Sequence, residues 1–187
     1  MMEVKGVIIE SIPSIILEKY GQYGLKRWLE LISPNARRVY TSDVNPEAWF
    51  PLKETLVEPM ANIGQLFYDW DLRAAAWDFG RMSADVRFHG MLKFLVKIPK
   101  TSSLVEKAGE YLASYYRPCA ITVPISDVKY CLVRITHFPE MDKTTEFRIC
   151  GWMERSLEIA GCKGVKVEII KSLTNFQPVS EYELRWN

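Results

Sequence analysis

The chain has 187 residues, 48% of them apolar, with 24 lysines and arginines against 23 aspartates and glutamates. A net charge of +1 without a basic run gives no electrostatic footing for nucleic acid. The longest apolar runs fall far short of a membrane span, and Glu3, Lys5 and Glu10 interrupt the N-terminus where a secretory leader would be apolar. Together these predict one domain of residues 1–187, with a sizeable core and a cytoplasmic address.

Val7, Ile8, Ile12, Ile15 and Ile16 form an apolar face broken by Pro13. This predicts an extended or short helical entry, then a helix opening near Pro13. Gly21 and Gly24 punctuate. Leu25, Trp28, Leu29 and Ile32 follow at i, i+3, i+4 and i+7, a second amphipathic helix that Ser33-Pro34-Asn35 ends. Asp43, Asn45 and Pro46 make Tyr40 to Pro51 a connection. A helix from Pro51 to Phe67 contains Pro59, which predicts a kink or two shorter helices. Leu72 to Phe88 is a helix with two apolar rows, ended by Gly90, and Met91 to Ile98 is a further short helix. Ser103-x-x-Glu106 reads as a capping box for a helix that reaches Tyr115 and stops at Pro118.

Ala120 to Ser126 and Lys129 to His137 read as a strand pair, with Pro124 marking the first as an edge or bulged strand. Asp142 caps a long helix to Ala160. Ile149, Cys150, Trp152, Met153 and Leu157 fall on its apolar side; Arg148, Glu154, Arg155 and Glu158 fall on the other. Gly161 and Gly164 end it. Val165, Val167 and Ile169, then Tyr182, Leu184 and Trp186, alternate with polar residues in two strands joined by a longer loop. The class is α+β: N-terminal helices (residues 1–117) packed on a four-stranded antiparallel sheet, with a β-β-α-β-β C-terminal part (118–187).

Arg81 stands at i+4 from Trp77, in a row that also holds Phe88. A partly desolvated arginine there can fork to the carboxylate or phosphate of a ligand, and it is the best anchor for an acidic group. The competing reading is a surface network with Asp78 and Asp85 at helical spacing. His89 beside a helix end can bind a metal or heme but lacks partners at ligand spacing, as does His137. Tyr115, Tyr116 and Trp152 can line a pocket or pack a core. With Trp77, Arg81, Phe88 and His89 they make up the candidate ligand site, for a small hydrophobic or acidic molecule. Cys119, Cys131, Cys150 and Cys162 form no C-x-x-C pair and read as buried free thiols. Gly-rich phosphate loops, Gly-x-Ser-x-Gly and paired carboxylates are all missing, so no catalytic residue and no metal site is assigned.

Residues Phe147 to Glu168, FRICGWMERSLEIAGCKGVKVE, and EYELRW at Glu181 to Trp186 resemble the bacterial 4-vinyl-reductase domain. That domain belongs to a wider ligand-binding fold with heme-NO-binding domains and TRAPP-complex subunits. VKGVIIES (Val4 to Ser11), YGLKRWLE (Tyr23 to Glu30) and WDFGRMSAD (Trp77 to Asp85) extend the resemblance to most of the chain. It implies helices on an antiparallel sheet, often a homodimer, with a small-molecule pocket between the layers. Many 4-vinyl-reductase-like domains carry cysteines where this chain has Glu146 and Ser180, so no cysteine-based metal or redox centre is expected. The Tyr-x-Ser-x-Arg propionate clamp of heme-NO-binding domains is missing too. No cofactor is therefore predicted, heme included. The expected function is a dimeric small-molecule-binding or sensor domain. The alternatives are a ligand-free interaction platform, as in TRAPP subunits, and a heme-based gas sensor.

Overall fold

The computed structural model describes residues 1–95 and 109–187, without the side chains of 87–95. The chain enters as a short strand, β1 (Glu3–Lys5), makes one helical turn, α1 (Gly6–Ile9), and runs into a long helix, α2 (Ile12–Leu31). Pro13 sits in the first turn of α2, where it has no helical hydrogen bond to lose. Gly21 stands at φ +68° and ψ −176°, outside the helical range, and breaks the helix there. The two helices expected on either side of it are present, joined at this kink.

The Ser33-Pro34-Asn35 triplet opens a helix as well as closing one: α3 (Pro34–Thr41) follows it directly. Ser33 Oγ accepts the Ala36 amide at 3.1 Å, and Pro34 fills the first turn. A second unforeseen feature is a small antiparallel sheet in the order β2-β1-β3, built from β1, β2 (Trp49–Pro51) and β3 (Tyr116–Arg117). Strands of two or three residues have too few positions for an alternating pattern to show.

Pro59 divides its helix as expected. A π turn (Lys53–Val57) leads into α4 (Glu58–Phe67), with Pro59 in the first turn of α4. A proline cannot bond the carbonyl four residues back. That carbonyl belongs to Thr55, and it accepts the buried Tyr40 hydroxyl instead. The Pro59 carbonyl accepts Trp28 Nε1 at 3.0 Å. The Tyr40 side chain of α3 thus fills the place that the missing proline N–H leaves open, and Trp28 of α2 adds a second bond to the same stretch. Helix α5 (Leu72–Leu95) passes through Gly90 unbroken, so the short helix expected from Met91 begins as its continuation. The capping box at Ser103 lies outside the described residues.

The C-terminal part follows the expected order: β4 (Ala120–Ser126), β5 (Tyr130–His137), α6 (Lys143–Ile159), β6 (Lys166–Lys171) and β7 (Ser180–Arg185). These strands form one antiparallel sheet, β4-β5-β7-β6. Strand β4 is at the edge, and its register slips between Thr122 and Ile125, around Pro124. Asp142 caps α6 by accepting the Thr145 amide at 3.1 Å. The whole is α+β.

Helix α6 packs along α5, close enough for the backbones to touch. A Cβ added at Gly80 would stand 2.1 Å from the Arg148 carbonyl oxygen, and one at Gly151 would stand 2.0 Å from that of Trp77. Only glycine permits either approach. Gly80→Ala and Gly151→Ala are each expected to cost about 1–3 kcal/mol, toward the upper end because the obstruction is backbone and cannot rotate away. Urea unfolding midpoints equal to the wild type in both variants would contradict this packing.

Candidate functional site

Helix α6 packs along α5 and against β6, so more than its apolar half is enclosed. Two charged residues of its first two turns are buried with the core, Glu146 and Arg148, each 2% exposed. Angular position alone places Arg148 among the solvent-facing residues. The flank it occupies is covered by α5 and β3.

The Arg148 guanidinium donates from Nη2 to Ser83 Oγ on α5 at 2.7 Å and from Nη1 to Tyr116 Oη on β3 at 3.3 Å. Its Nε has no acceptor. Ser83 passes its own proton to the Phe79 carbonyl at 2.7 Å. The Tyr116 hydroxyl finds no acceptor for its proton among the described residues. Burial pushes the Tyr116 phenol pKa up, the Arg148 charge pulls it down, and burial prevails, so the phenol stays neutral and able to donate. Arg81, Arg117, Arg134, Arg155 and Arg185 each reach a carboxylate. Arg148 reaches none among the described residues. A buried charge left without a partner costs roughly 3–5 kcal/mol.

Glu146 is solved differently. Its carboxylate accepts Ser172 Oγ at 2.8 Å and Ser180 Oγ at 2.9 Å, with Thr174 and Tyr182 hydroxyls at 3.5 Å. These hydroxyls belong to β7 and to the connection that leads into it, so the cage ties the start of α6 to the sheet. Glu146 and Ser180 are in direct contact.

Of the residues singled out from sequence, Tyr116 joins Arg148. Trp77 and Arg81 form a separate cluster on the outer side of the α5–α6 contact. Trp77 Nε1 donates to Glu154 Oε2 at 2.8 Å, and Arg81 bonds Glu154 and, at 2.8 Å, Glu158. Neither reading of Arg81 anticipated these partners, because helical spacing sees only neighbours on the same helix. Asp78 bonds Lys19 and Tyr68, and Asp85 pairs with Arg155 of α6. Tyr115 and Trp152 are buried in the core. The side chains of Phe88 and His89 lie outside the described residues. His137 is exposed at the end of β5.

Burial pushes the Glu158 carboxyl up, but Arg81 and Arg155 beside it outweigh that and hold it below its ordinary 4.5. A folded pKa depressed in this way gives stability that is full above pH 4.5 and lost as the pH falls through the folded value. Arg81→Ala is expected to cost about 1 kcal/mol at pH 7, since the cluster is partly exposed and screened. It should also flatten the acid limb of the stability curve below pH 4.5. Superimposable acid limbs in the two proteins would exclude this cluster as their source.

All the cysteines are free thiols, and burial pushes Cys119 and Cys131 up to about 12 and raises Cys150 too. Thiols so raised are not nucleophiles at neutral pH. Iodoacetamide at pH 8 is expected to leave Cys131 and Cys150 unmodified in the folded protein and to modify both in urea, as intact and peptide masses would report. Among the described residues no three His, Cys, Asp or Glu side chains are grouped to hold a metal ion. No described helix is long and apolar enough to cross a membrane.

No protein-family model matches the sequence, and no curated protein matches it. Solved structures do. An H-NOX protein from S. oneidensis in the Fe(II)NO ligation state gives a TM-score of 0.72 at 13% identity, over 98% of this chain and 99% of that one. A mutant of an S. oneidensis H-NOX protein in the Fe(II) state gives 0.74 at 13% identity, over 98% and 96%. A mutant H-NOX protein from K. algicida, Fe(II) and unliganded, gives 0.71 at 10% identity, over 98% and 96%. The likeness is one of fold, and it supports the heme-NO-binding branch of the resemblance.

These neighbours correct the expectation that no cofactor is held and that heme has no place. The proteins sharing this fold along their length are described in Fe(II), Fe(II)NO and Fe(II)CO states. The missing Tyr-x-Ser-x-Arg motif was a poor guide. At 10–13% identity a fold persists where a local motif does not. The donors present bear on such a group directly. The guanidinium of Arg148 and the hydroxyl of Tyr116 are donors of the kind that the carboxylates of an iron porphyrin accept.

Proposed function

We propose that the whole chain is one ligand-binding sensor domain, with a small molecule held where α5, α6 and β3 meet. The observation that carries this is the match to H-NOX proteins over 98% of the chain, including states with NO or CO on Fe(II). The buried, unfilled donors of Arg148 and Tyr116 supply a chemical place for the ligand. Helix α6 is the element that would report it. The same helix holds Arg148 at the site and Glu146 in the hydroxyl cage of Ser172 and Ser180, so a displacement at one reaches the other. A ligand that bonds Arg148 better in one setting of α6 shifts the population toward that setting by the difference in affinity.

The Fe(II)NO and Fe(II)CO states of the neighbours favour a second reading, an iron-centred gas sensor. There the group would supply the gas-binding site, and Arg148 and Tyr116 would hold its acidic edge. A homodimer, a cytoplasmic address and kinship with 4-vinyl-reductase and TRAPP domains belong to the same proposal. A ligand-free platform would draw its self-interface from the wide stripe of α6 and the apolar stretch from Val4 to Ile16. Val4, Ile8, Ile12, Ile16, Ile149 and Trp152 are all enclosed in the chain's own core, which favours the ligand reading.

Native mass spectrometry of the purified chain beside a denatured control tests this. A dimer carrying a non-covalent mass is expected, and a Soret band in the same sample would assign that mass to an iron porphyrin. A colourless, folded protein that fails to take up hemin would remove the second reading. A chain that carries no mass and takes up no small molecule would overturn the first.

A further inference from the structure

We infer that Arg148 and Tyr116 form a carboxylate-binding subsite, and that the ligand is an apolar molecule bearing a carboxylate. This rests on the ligand-binding reading above and names the chemical class of the ligand.

Arg148 is among the largest fully buried side chains of the protein. A guanidinium has five N–H donors and does not lose its charge. Among the described residues two of those donors are engaged, both by neutral hydroxyls, and Nε is bare. Tyr116, on a different element, brings a hydroxyl proton with no acceptor among the described residues. Both groups lack the same thing, an acceptor with negative charge. Ser83 cannot provide it, since its oxygen already takes Arg148 and its proton goes to the Phe79 carbonyl.

A carboxylate fits this set better than a phosphate. One buried cation balances one negative charge, and a dianion would leave the second without compensation. Two parallel oxygens also match the planar fork of a guanidinium edge. The surroundings of the Tyr116 ring are apolar, since it packs on buried Phe138 with ring centroids 5.4 Å apart, and they suit an apolar body beside the carboxylate. An arginine kept only to tie Ser83 to Tyr116 would bring a buried charge that such a tie does not need.

The test uses the full chain, with decanoate, decanol and hemin as probes. Decanoate is expected to raise the wild-type melting temperature and decanol of the same length to leave it unchanged. Arg148→Met should weaken decanoate binding at least about tenfold, the loss of a charge-assisted pair, while melting higher than the wild type without ligand, because an unneutralised buried charge is gone. Arg148→Lys keeps the charge without the fork and should bind in between; if the Met variant does not fold, this one decides. If hemin rather than decanoate shows Arg148-dependent binding, the carboxylate is a porphyrin's. Acid binding equal in wild type and both variants would overturn the subsite and leave the ligand-binding reading standing. A folded wild type that binds neither acid and carries no co-purified mass would overturn both. An Arg148→Met protein that melts lower and binds acid as before would show that the arginine is structural.

Discussion

The backbone contact between α5 and α6 at Gly80 and Gly151 governs the rest of the C-terminal half. Helices held apart by ordinary side chains leave room between them for those side chains and little else. Here the main chains touch, with would-be Cβ positions about 2 Å from carbonyl oxygens on both sides. Everything flanking the contact is drawn in with it. On one side the long side chains of Arg81, Glu154, Arg155 and Glu158 close over the seam as an ion-pair cluster. On the other, Ser83 and Arg148 come within 2.7 Å of each other and are sealed from water. A single alanine at either glycine would loosen both arrangements together.

That geometry explains why one arginine has its charge met and the other does not among the described residues. Arg81 is partly exposed and meets two carboxylates. Arg148 lies on the same pair of helices but on the enclosed flank, where the hydroxyls that reach it cannot neutralise it. In water the difference would be small. Inside a protein an unpaired charge is far more costly than an unpaired neutral group. The functional reading therefore moves from the arginine that looked well placed in the sequence to the one that looked solvated.

Much of the fold was legible because its signals are local. Asp142 as a cap, Pro124 at an irregular edge strand, Pro59 dividing a helix and the alternation in β6 and β7 each follow from the residue and its immediate neighbours. What could not be read depends on contacts between distant segments. The sheet of β1, β2 and β3 unites residues 3, 51 and 117. Arg81 finds its partners more than 70 residues away. Helix α3 was missed for a different reason, since Ser33-Pro34 is both a stop and a start. Of the candidate site, half was legible. Ser83, Gly80, Arg148 and Gly151 all stand within the segments WDFGRMSAD and FRICGWMERSLE. Spacing on one helix gave no sign that these two segments face each other.

Glu146 and Arg148 could have solved each other's problem, and the helix prevents it. Residues two apart on a helix point to different flanks, so these opposite charges are buried in the same two turns without meeting. Each must find compensation from what packs over its own flank. Glu146 finds hydroxyl donors, from Ser172 and Ser180 at hydrogen-bond distance with Thr174 and Tyr182 at 3.5 Å, which suffice for an acceptor. Arg148 finds hydroxyls as well, and for a donor carrying a positive charge they are the wrong kind of partner. One flank of the helix start is thus closed within the chain, and on the other Arg148 meets no negative charge among the described residues.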